Sequence, residues 1–318
     1  MNTDDSQHEG SVILLGPQSW HYADVTRTVD DLDIDGPIAL VTAGWQENES
    51  DDSGLHKALD RPTVNLSLHA RSEEVADAET DFVAAWTLRQ KHLRRLQEFY
   101  RIRLESIDKA AGSIAVRHAS SELLEEQLEI SVSQLRHLDA DHLQRCATIR
   151  ERFDNDWPIS SLPSLEAQRE EVAEELQACK ALVITGGHVV AVLNRLRLFD
   201  VFATWGNRPI IGWSAGAMVL TERIVLFHDS PPFGTNLAQV LDTGFGLCPE
   251  LVALPDMSRR VHLDEKGPIG RFSRRMAPAH CLALDPGSRI HFEDGKMTAV
   301  EESARLDEDG QVNWGWTP

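Results

Sequence analysis

The chain has 318 residues, a length that suits two average domains or one large α/β domain with an insertion. Hydrophobic residues make up 42% and charged residues 26%, a globular composition that excludes wholesale disorder. The formal net charge of −20 disfavours binding to nucleic acid or to an anionic membrane, because like charges repel.

Membrane, export and cysteine signals narrow the class further. No apolar run approaches the roughly 20 residues of a membrane-spanning helix, and the polar, acidic start does not resemble an export signal. The four cysteines include no CxxC pair, which favours reduced thiols over a disulfide framework or a zinc site. These features predict a soluble, cytoplasmic α/β protein without a metal or another cofactor.

Residues 1–75 contain short apolar runs at residues 11–16 and 37–42. Each run is bounded by turn residues, as in strands that are buried on both faces of a parallel sheet. An alternating run at residues 63–69 predicts a third strand nearer the sheet edge. We therefore assign residues 1–75 to the first part of an α/β domain.

Residues 76–155 have a helical pattern instead. Apolar side chains recur at three- and four-residue steps in two stripes, separated by residues 112–121 with little helix signal. The pattern predicts a long inserted αα-hairpin. A packed helical arm is the plainer interpretation, and an arm for dimerisation or partner binding is the alternative. The stripes consist of Phe82, Trp86, Leu93, Leu96, Tyr100 and Ile107, and of Leu124, Leu128, Leu135, Leu138, Cys146 and Ile149.

The α/β alternation resumes in residues 156–318. A predicted strand at residues 181–185 ends in two glycines before a helix, and a second strand at residues 208–213 leads into another helix. Turn signals within residues 281–300 predict a small C-terminal β-meander. The chain as a whole is predicted to form an open, mostly parallel sheet with helices on both faces and the inserted hairpin.

The sequence G-W-S-A-G at residues 212–216 fits the pattern G-x-S-x-G. A predicted strand leads into it and a helix leads out, which is typical of a nucleophile elbow. A strained turn of this kind needs small neighbours, because a Cβ would clash with nearby backbone. Ser214 is therefore the predicted nucleophile and the Ala215 N–H a predicted oxyanion donor. A strand–helix junction that needs small residues only for packing is the alternative.

Gly186 and Gly187 follow the neighbouring predicted strand. Chemistry in open parallel sheets gathers at the carboxyl ends of strands, so the Gly187 N–H is the second predicted oxyanion donor. Gly186 and His188 are weaker candidates for substrate contact, and a residue at a helix start is the plainer interpretation of His188. The spacing matches neither GxGxxG nor GxxxxGK[ST], which disfavours nucleotide binding.

Several segments of residues 156–318 resemble stretches of one protein family. I-T-G-G-H-V-V-A-V-L at residues 184–193 and I-G-W-S-A-G-A at residues 211–217 resemble the dipeptidase E and cyanophycinase family of serine peptidases. Residues 244–249, 261–271 and 282–285 resemble further stretches of that family. The resemblance implies a flavodoxin-like sheet of the class I glutamine amidotransferase type. The resemblance does not extend to the helical arm.

The resemblance also implies partners for the nucleophile. His262 occupies the family's catalytic histidine position and is the predicted base. Asp229 lies fifteen residues after Ser214, the spacing found in dipeptidase E, and is the predicted orienting acid. His228 is a competitor as the base, but adjacent residues such as His228 and Asp229 cannot readily form an orienting pair across a site.

Asp285 is the alternative acid. Cyanophycinase-like members use a glutamate at the next position, where this chain has Pro286, and this difference favours Asp229 over Asp285.

The predicted reaction is hydrolysis of a small peptide or amide through an acyl-enzyme on Ser214. The family's substrates imply an Asp-containing substrate, whose carboxylate needs a local cation. Arg223 and Arg271 are the weaker substrate-binding candidates, and Arg259 and Arg260 are also available. The alternative is a non-hydrolytic relative that binds a small ligand or a partner through the helical arm, and a homodimer is left open. Glutamine amidotransfer would need a cysteine at the serine position.

Overall fold

The computed structural model describes residues 8–227, 237–260 and 263–318. The candidates His228, Asp229 and His262 lie outside the described residues. None of the helices within these ranges is both long and apolar enough to cross a bilayer.

The described residues alternate between strands and helices. The strands are β1 (Ser11–Leu15), β2 (Ile38–Val41), β3 (Thr63–Asn65), β4 (Ala181–Ile184), β5 (Ile210–Trp213), β6 (Arg223–Leu226), β7 (Gln239–Thr243), β8 (Leu251–Pro255), β9 (His280–Leu284), β10 (Arg289–Glu293), β11 (Lys296–Glu301), β12 (Ala304–Leu306) and β13 (Val312–Trp314). The α-helices are α1 (Ala23–Asp31), α2 (Ser53–Leu59), α3 (Leu68–Ala78), α4 (Thr80–Ala115), α5 (Ser121–Asp156), α6 (Pro163–Ala178), α7 (Val189–Leu198), α8 (Val201–Trp205), α9 (Ala215–Leu220), α10 (Met257–Arg260) and α11 (Lys266–Met276).

The central sheet has the order β11-β10-β1-β5-β4-β2-β3. Its five strands from β1 to β3 are parallel, whereas β10 and β11 are antiparallel additions at one edge. Side chains of β1 alternate between two cores, with Val12 and Leu14 in one and Ile13 and Leu15 in the other. Both faces of the sheet are therefore covered, which is why the strands are short continuous apolar runs. The prediction of a mostly parallel α/β fold is confirmed.

The C-terminal strands are divided between two sheets rather than forming one meander. The hairpin of β10 and β11 covers the outer edge of β1, whereas β12 and β13 extend a second sheet of order β13-β12-β9-β8. An uncovered edge would leave unpaired backbone groups along β1, and the antiparallel hairpin satisfies them.

The two longest helices, α4 and α5, form an antiparallel hairpin. Arg89 interrupts the predicted apolar stripe of α4 and is nevertheless buried. Its guanidinium lies 3.8 Å from the Trp86 ring centroid and 4.3 Å from that of Phe153, so cation–π contacts replace an apolar side chain here. Burial lowers the pKa of Arg89 to about 10, which leaves it charged at neutral pH.

A buried polar network joins the hairpin to the rest of the molecule. Arg275 of α11 donates from Nε and Nη2 to the Asp139 carboxylate of α5, each at 2.7 Å. The Tyr100 hydroxyl of α4 donates to Asp139 at 2.8 Å and accepts from Arg275 at 2.7 Å. Tyr100 also accepts from the Val240 N–H, and Arg275 donates to the Ala238 carbonyl. The network thus links α4, α5, α11 and β7 in the interior.

Candidate active site

Ser214 stands at the turn between β5 and α9, beyond the carboxyl end of a central strand. Its backbone has φ 49° and ψ −112°, a combination that non-glycine residues rarely adopt. The flanking residues Trp213 and Ala215 are buried, whereas Ser214 is partly exposed. The strained turn therefore leaves the serine side chain accessible at the end of the sheet.

The turn is held by close backbone contacts. The Ser214 N–H donates to the Leu15 carbonyl of β1 at 3.2 Å. A Cβ on Gly216 would lie 2.2 Å from the carbonyl oxygen of Ile184, at the end of β4. Only glycine fits at this approach of α9 to β4, and the packing requires it whether or not the serine reacts.

The glycine turn after β4 is the direct neighbour of Ser214. A Cβ on Gly186 would lie 3.2 Å from the Cβ of Ser214. Gly187 has a φ of +112°, and a Cβ on it would lie 2.3 Å from the Gly44 carbonyl oxygen. That carbonyl also accepts from the His188 N–H at 2.8 Å. No sequence motif marked Gly44, although it lies three residues after β2, as Gly187 lies three residues after β4.

Two backbone donors remain available beside the serine. Within the part of the chain that the structure describes, the N–H groups of Gly187 and Ala215 have no hydrogen-bond acceptor. Ala215 is the first residue of α9, where a helix cannot supply an acceptor of its own. The arrangement can therefore donate hydrogen bonds to a developing oxyanion next to Ser214.

His188 has a structural role at this edge. It is the N-cap of α7, and its Nδ1 accepts from the Ala191 N–H at 3.3 Å. Its side chain is exposed. This geometry agrees with a residue at a helix start, the plainer of the two interpretations.

Asp285 lies at the same edge of the molecule. It follows β9, and a Cβ on Gly16 would come within 1.9 Å of its carbonyl oxygen. Gly16 follows β1, in which Leu15 pairs with Trp213. The Asp285 carboxylate accepts from the N–H of Ser258 at 3.1 Å and from the hydroxyl of Ser258. Asp285 thus fixes α10 to the carboxyl edge of the central sheet.

The two candidate arginines are not joined to Ser214 by any contact among the described residues. Arg223 begins β6 and pairs opposite Thr243 of β7. Arg271 of α11 forms an ion pair with Asp108 of α4, with Nη2 and Oδ1 3.4 Å apart. Arg271 also lines a cavity of about 370 Å³ between α11 and the helical hairpin, and Ser214 is not among the lining residues.

The cysteines offer no alternative nucleophile. All four are free thiols and buried. Burial raises the pKa of Cys146 to about 12 and that of Cys248 well above its usual value, so neither thiol ionises near neutral pH. Among the described residues, no group of three or more His, Cys, Asp and Glu side chains is arranged to hold a metal ion.

Fold and site together define an open α/β protein with a strained, accessible serine between a central strand and a helix. The family model of peptidase family S51 matches residues 138–300, just over half of the 318-residue chain. The chain belongs to peptidase family S51 and is a serine-type peptidase. This confirms the resemblance to dipeptidase E and cyanophycinase that the motifs indicated.

A solved structure and the curated proteins complete the comparison. The crystal structure of a peptidase from an acI-B1 Actinobacterium is similar over 98% of this chain and 98% of its own, with 13% sequence identity and a TM-score of 0.48. The search of curated proteins gave no match.

Proposed function

We propose that the protein hydrolyses a small peptide or amide, with Ser214 as the nucleophile. One observation carries this proposal: the strained serine between β5 and α9 is flanked by the unpartnered N–H groups of Gly187 and Ala215. A strand, a strained serine turn and a helix are the elements of a nucleophile elbow. The family match favours hydrolysis over the non-hydrolytic alternative.

In the proposed reaction the base takes the proton of the Ser214 Oγ as that oxygen attacks the carbonyl carbon. The N–H groups of Gly187 and Ala215 donate to the resulting oxyanion, and each donor of this kind contributes about 3 kcal/mol in well-studied enzymes. The protonated base then gives its proton to the leaving amine, which leaves an acyl-enzyme. The base then takes a proton from water as the water oxygen attacks the ester carbon. It returns that proton to the Ser214 Oγ as the ester bond breaks and the acid product leaves.

His262 is the proposed base and Asp229 the proposed orienting acid. Both lie outside the described residues, so these two roles are proposed from the family resemblance. A described neighbour supports His262. Helix α10 ends two residues before it and is tied through Ser258 to Asp285, at the edge where Ser214 lies.

We propose a substrate that contains an aspartyl residue. Because the chain carries a net charge of −20, such a substrate needs a local cation. Arg223 and Arg271 are the proposed candidates for this cation. Arg271 is paired with Asp108, and the cavity that it lines does not include Ser214, so its proposed role depends on the family resemblance.

Labelling with a fluorophosphonate tests the nucleophile directly. We expect intact-protein mass spectrometry to find one adduct on the unmodified chain and none on Ser214→Ala. The matched control is Ser113→Ala, which removes an exposed serine of α4 and should leave labelling unchanged. Equal labelling of Ser214→Ala and the unmodified chain would refute the assignment.

A second prediction separates the two candidate acids. Asp229→Asn should lower kcat for an aspartyl p-nitroanilide by about 10⁴-fold, because the amide stabilises the wrong imidazole tautomer. Asp285→Asn should lose less than about tenfold, since the Asp285 carboxylate is engaged by Ser258 and the asparagine oxygen can still accept. The reverse ranking in steady-state kinetics would transfer the role to Asp285.

A further inference from the structure

Exposed apolar side chains are concentrated on the helical hairpin. Of the eight well-exposed large apolar side chains among the described residues, six lie between residues 88 and 130. Single exposed apolar residues are ordinary on protein surfaces, but a cluster on one element indicates a contact surface. The six are Leu88, Phe99, Ile102, Val116, Leu123 and Ile130.

Their spacing places them in a second stripe on each helix. Leu88 and Ile102 of α4 are fourteen residues apart, which is two heptads, and Val116 follows after another fourteen, directly after the end of α4. Leu123 and Ile130 of α5 are seven apart. Residues at seven-residue intervals lie on one side of a helix. The first stripe of each helix is buried or partly buried against the other helix and the rest of the molecule. A helix that packs only against its own molecule does not need a second apolar stripe.

The charges on the two helices differ in sign. Residues 89–109 of α4 contain seven Lys or Arg and three Asp or Glu, in a chain whose net charge is −20. Residues 122–129 of α5 contain four Glu and no Lys or Arg. Lys91, Arg94, Glu122 and Glu126 are exposed and form no ion pair with any described residue.

These opposite charges are far apart within one molecule. The contacts of Tyr100 with Asp139 and of Trp86 with Phe153 fix the antiparallel register of α4 and α5. In that register the acidic residues 122–129 lie beside residues 110–117, at the end of α4, roughly 30–40 Å from Lys91 at 1.5 Å per residue. A second hairpin packed antiparallel on the first would bring its acidic tip to the basic part of α4.

We propose that two copies of this chain form a symmetric dimer through their hairpins, packed antiparallel across the second α4 stripe. Glu122 and Glu126 of each copy then face Lys91 and Arg94 of the other. A two-fold axis generates both charge contacts at once, because a symmetric interface uses the same surface twice. The proposal does not depend on the identity of the nucleophile.

The apolar part is tested by the mass in solution over a wide concentration range, measured by light scattering and sedimentation velocity. We expect a dimer for the unmodified chain and a monomer for the double variant Leu88→Glu with Ile102→Glu. The control is Trp20→Glu with Trp314→Glu, which changes two exposed tryptophans outside the hairpin and should leave the dimer intact. Matching circular dichroism spectra and melting temperatures would show that the variants fold.

The charged part is tested by a swap. Lys91→Glu with Arg94→Glu, and separately Glu122→Lys with Glu126→Lys, should each weaken dimerisation by at least about tenfold, because like charges would face each other. An equal mixture of the two variants should form a heterodimer, since both contacts then join opposite charges. A monomeric unmodified chain, a dimer unaffected by the hairpin variants, or a mixture that stays monomeric would each overturn the proposal.

Discussion

Replacing Ser214 by alanine is expected to lower kcat/KM for peptide hydrolysis by about 10⁴- to 10⁶-fold. The variant keeps the N–H groups of Gly187 and Ala215 but loses the atom that forms the acyl-enzyme. Any residual hydrolysis would therefore be a direct attack of water on a bound substrate. Alanine is smaller than serine and forms the same turn at the strained backbone, so the unfolding free energy should change little.

The double variant of Ser214→Ala with His262→Ala tests whether these two residues act as one catalytic unit. Because the base has no function without the nucleophile, Ser214→Ala, His262→Ala and the double variant should lose nearly the same activity. Initial rates on one aspartyl p-nitroanilide at fixed pH measure all three, with His92→Ala, which changes an exposed histidine of α4, as the control. Losses that multiply in the double variant would mean that the two residues act independently, and the proposed pairing would then be wrong.

The central sheet could be predicted because its strands carry a local signal. Residues 12–15 and 181–184 are short, wholly apolar runs bounded by small or turn residues, and both proved to be buried parts of strands. Burial on both faces removes the alternation that marks a half-exposed strand, so length and boundaries carry the information. The order of the strands does not follow from such local patterns.

Contacts between distant segments could not be predicted. The hairpin of β10 and β11 lies against β1, nearly 280 residues earlier in the chain, and nothing in residues 281–300 signals that partner. Arg89 interrupts an apolar stripe in the sequence, but the aromatic rings that make its burial favourable come from two different helices. Pairing of this kind depends on tertiary packing rather than on local propensity.

In the candidate site too, some contacts could be predicted from the sequence and others could not. Ser214 and Gly186 could be expected to meet because both follow parallel strands, and their separation in the structure agrees with that rule. The contact of Gly44 with Gly187 was not expected, since no motif includes Gly44. The roles of His262 and Asp229 stay predictions from the family resemblance.

The second large effect concerns stability. Asp139→Ala is expected to lower the free energy of unfolding by about 3–5 kcal/mol, because it leaves the Arg275 guanidinium buried without its counter-ion. Arg275 and Asp139 are both almost completely buried, so solvent cannot replace the lost carboxylate. The Tyr100 hydroxyl also loses the acceptor that orients it, which weakens the contact of α4 with Val240 of β7.

Urea unfolding followed by circular dichroism measures this effect, and Asp141→Ala is the matched control on the same helix. Asp141 pairs with Arg145 at 2.8 Å near the surface, where an ion pair contributes at most about 1 kcal/mol.

The double variant Asp139→Leu with Arg275→Met should be more stable than Asp139→Ala alone, because no unpaired charge then remains buried. If Asp139→Ala and Asp141→Ala cost the same, the network does not hold the hairpin on the body. Since the proposed dimer surface lies on that hairpin, Asp139→Ala should also weaken dimerisation under mild urea, before the central sheet unfolds.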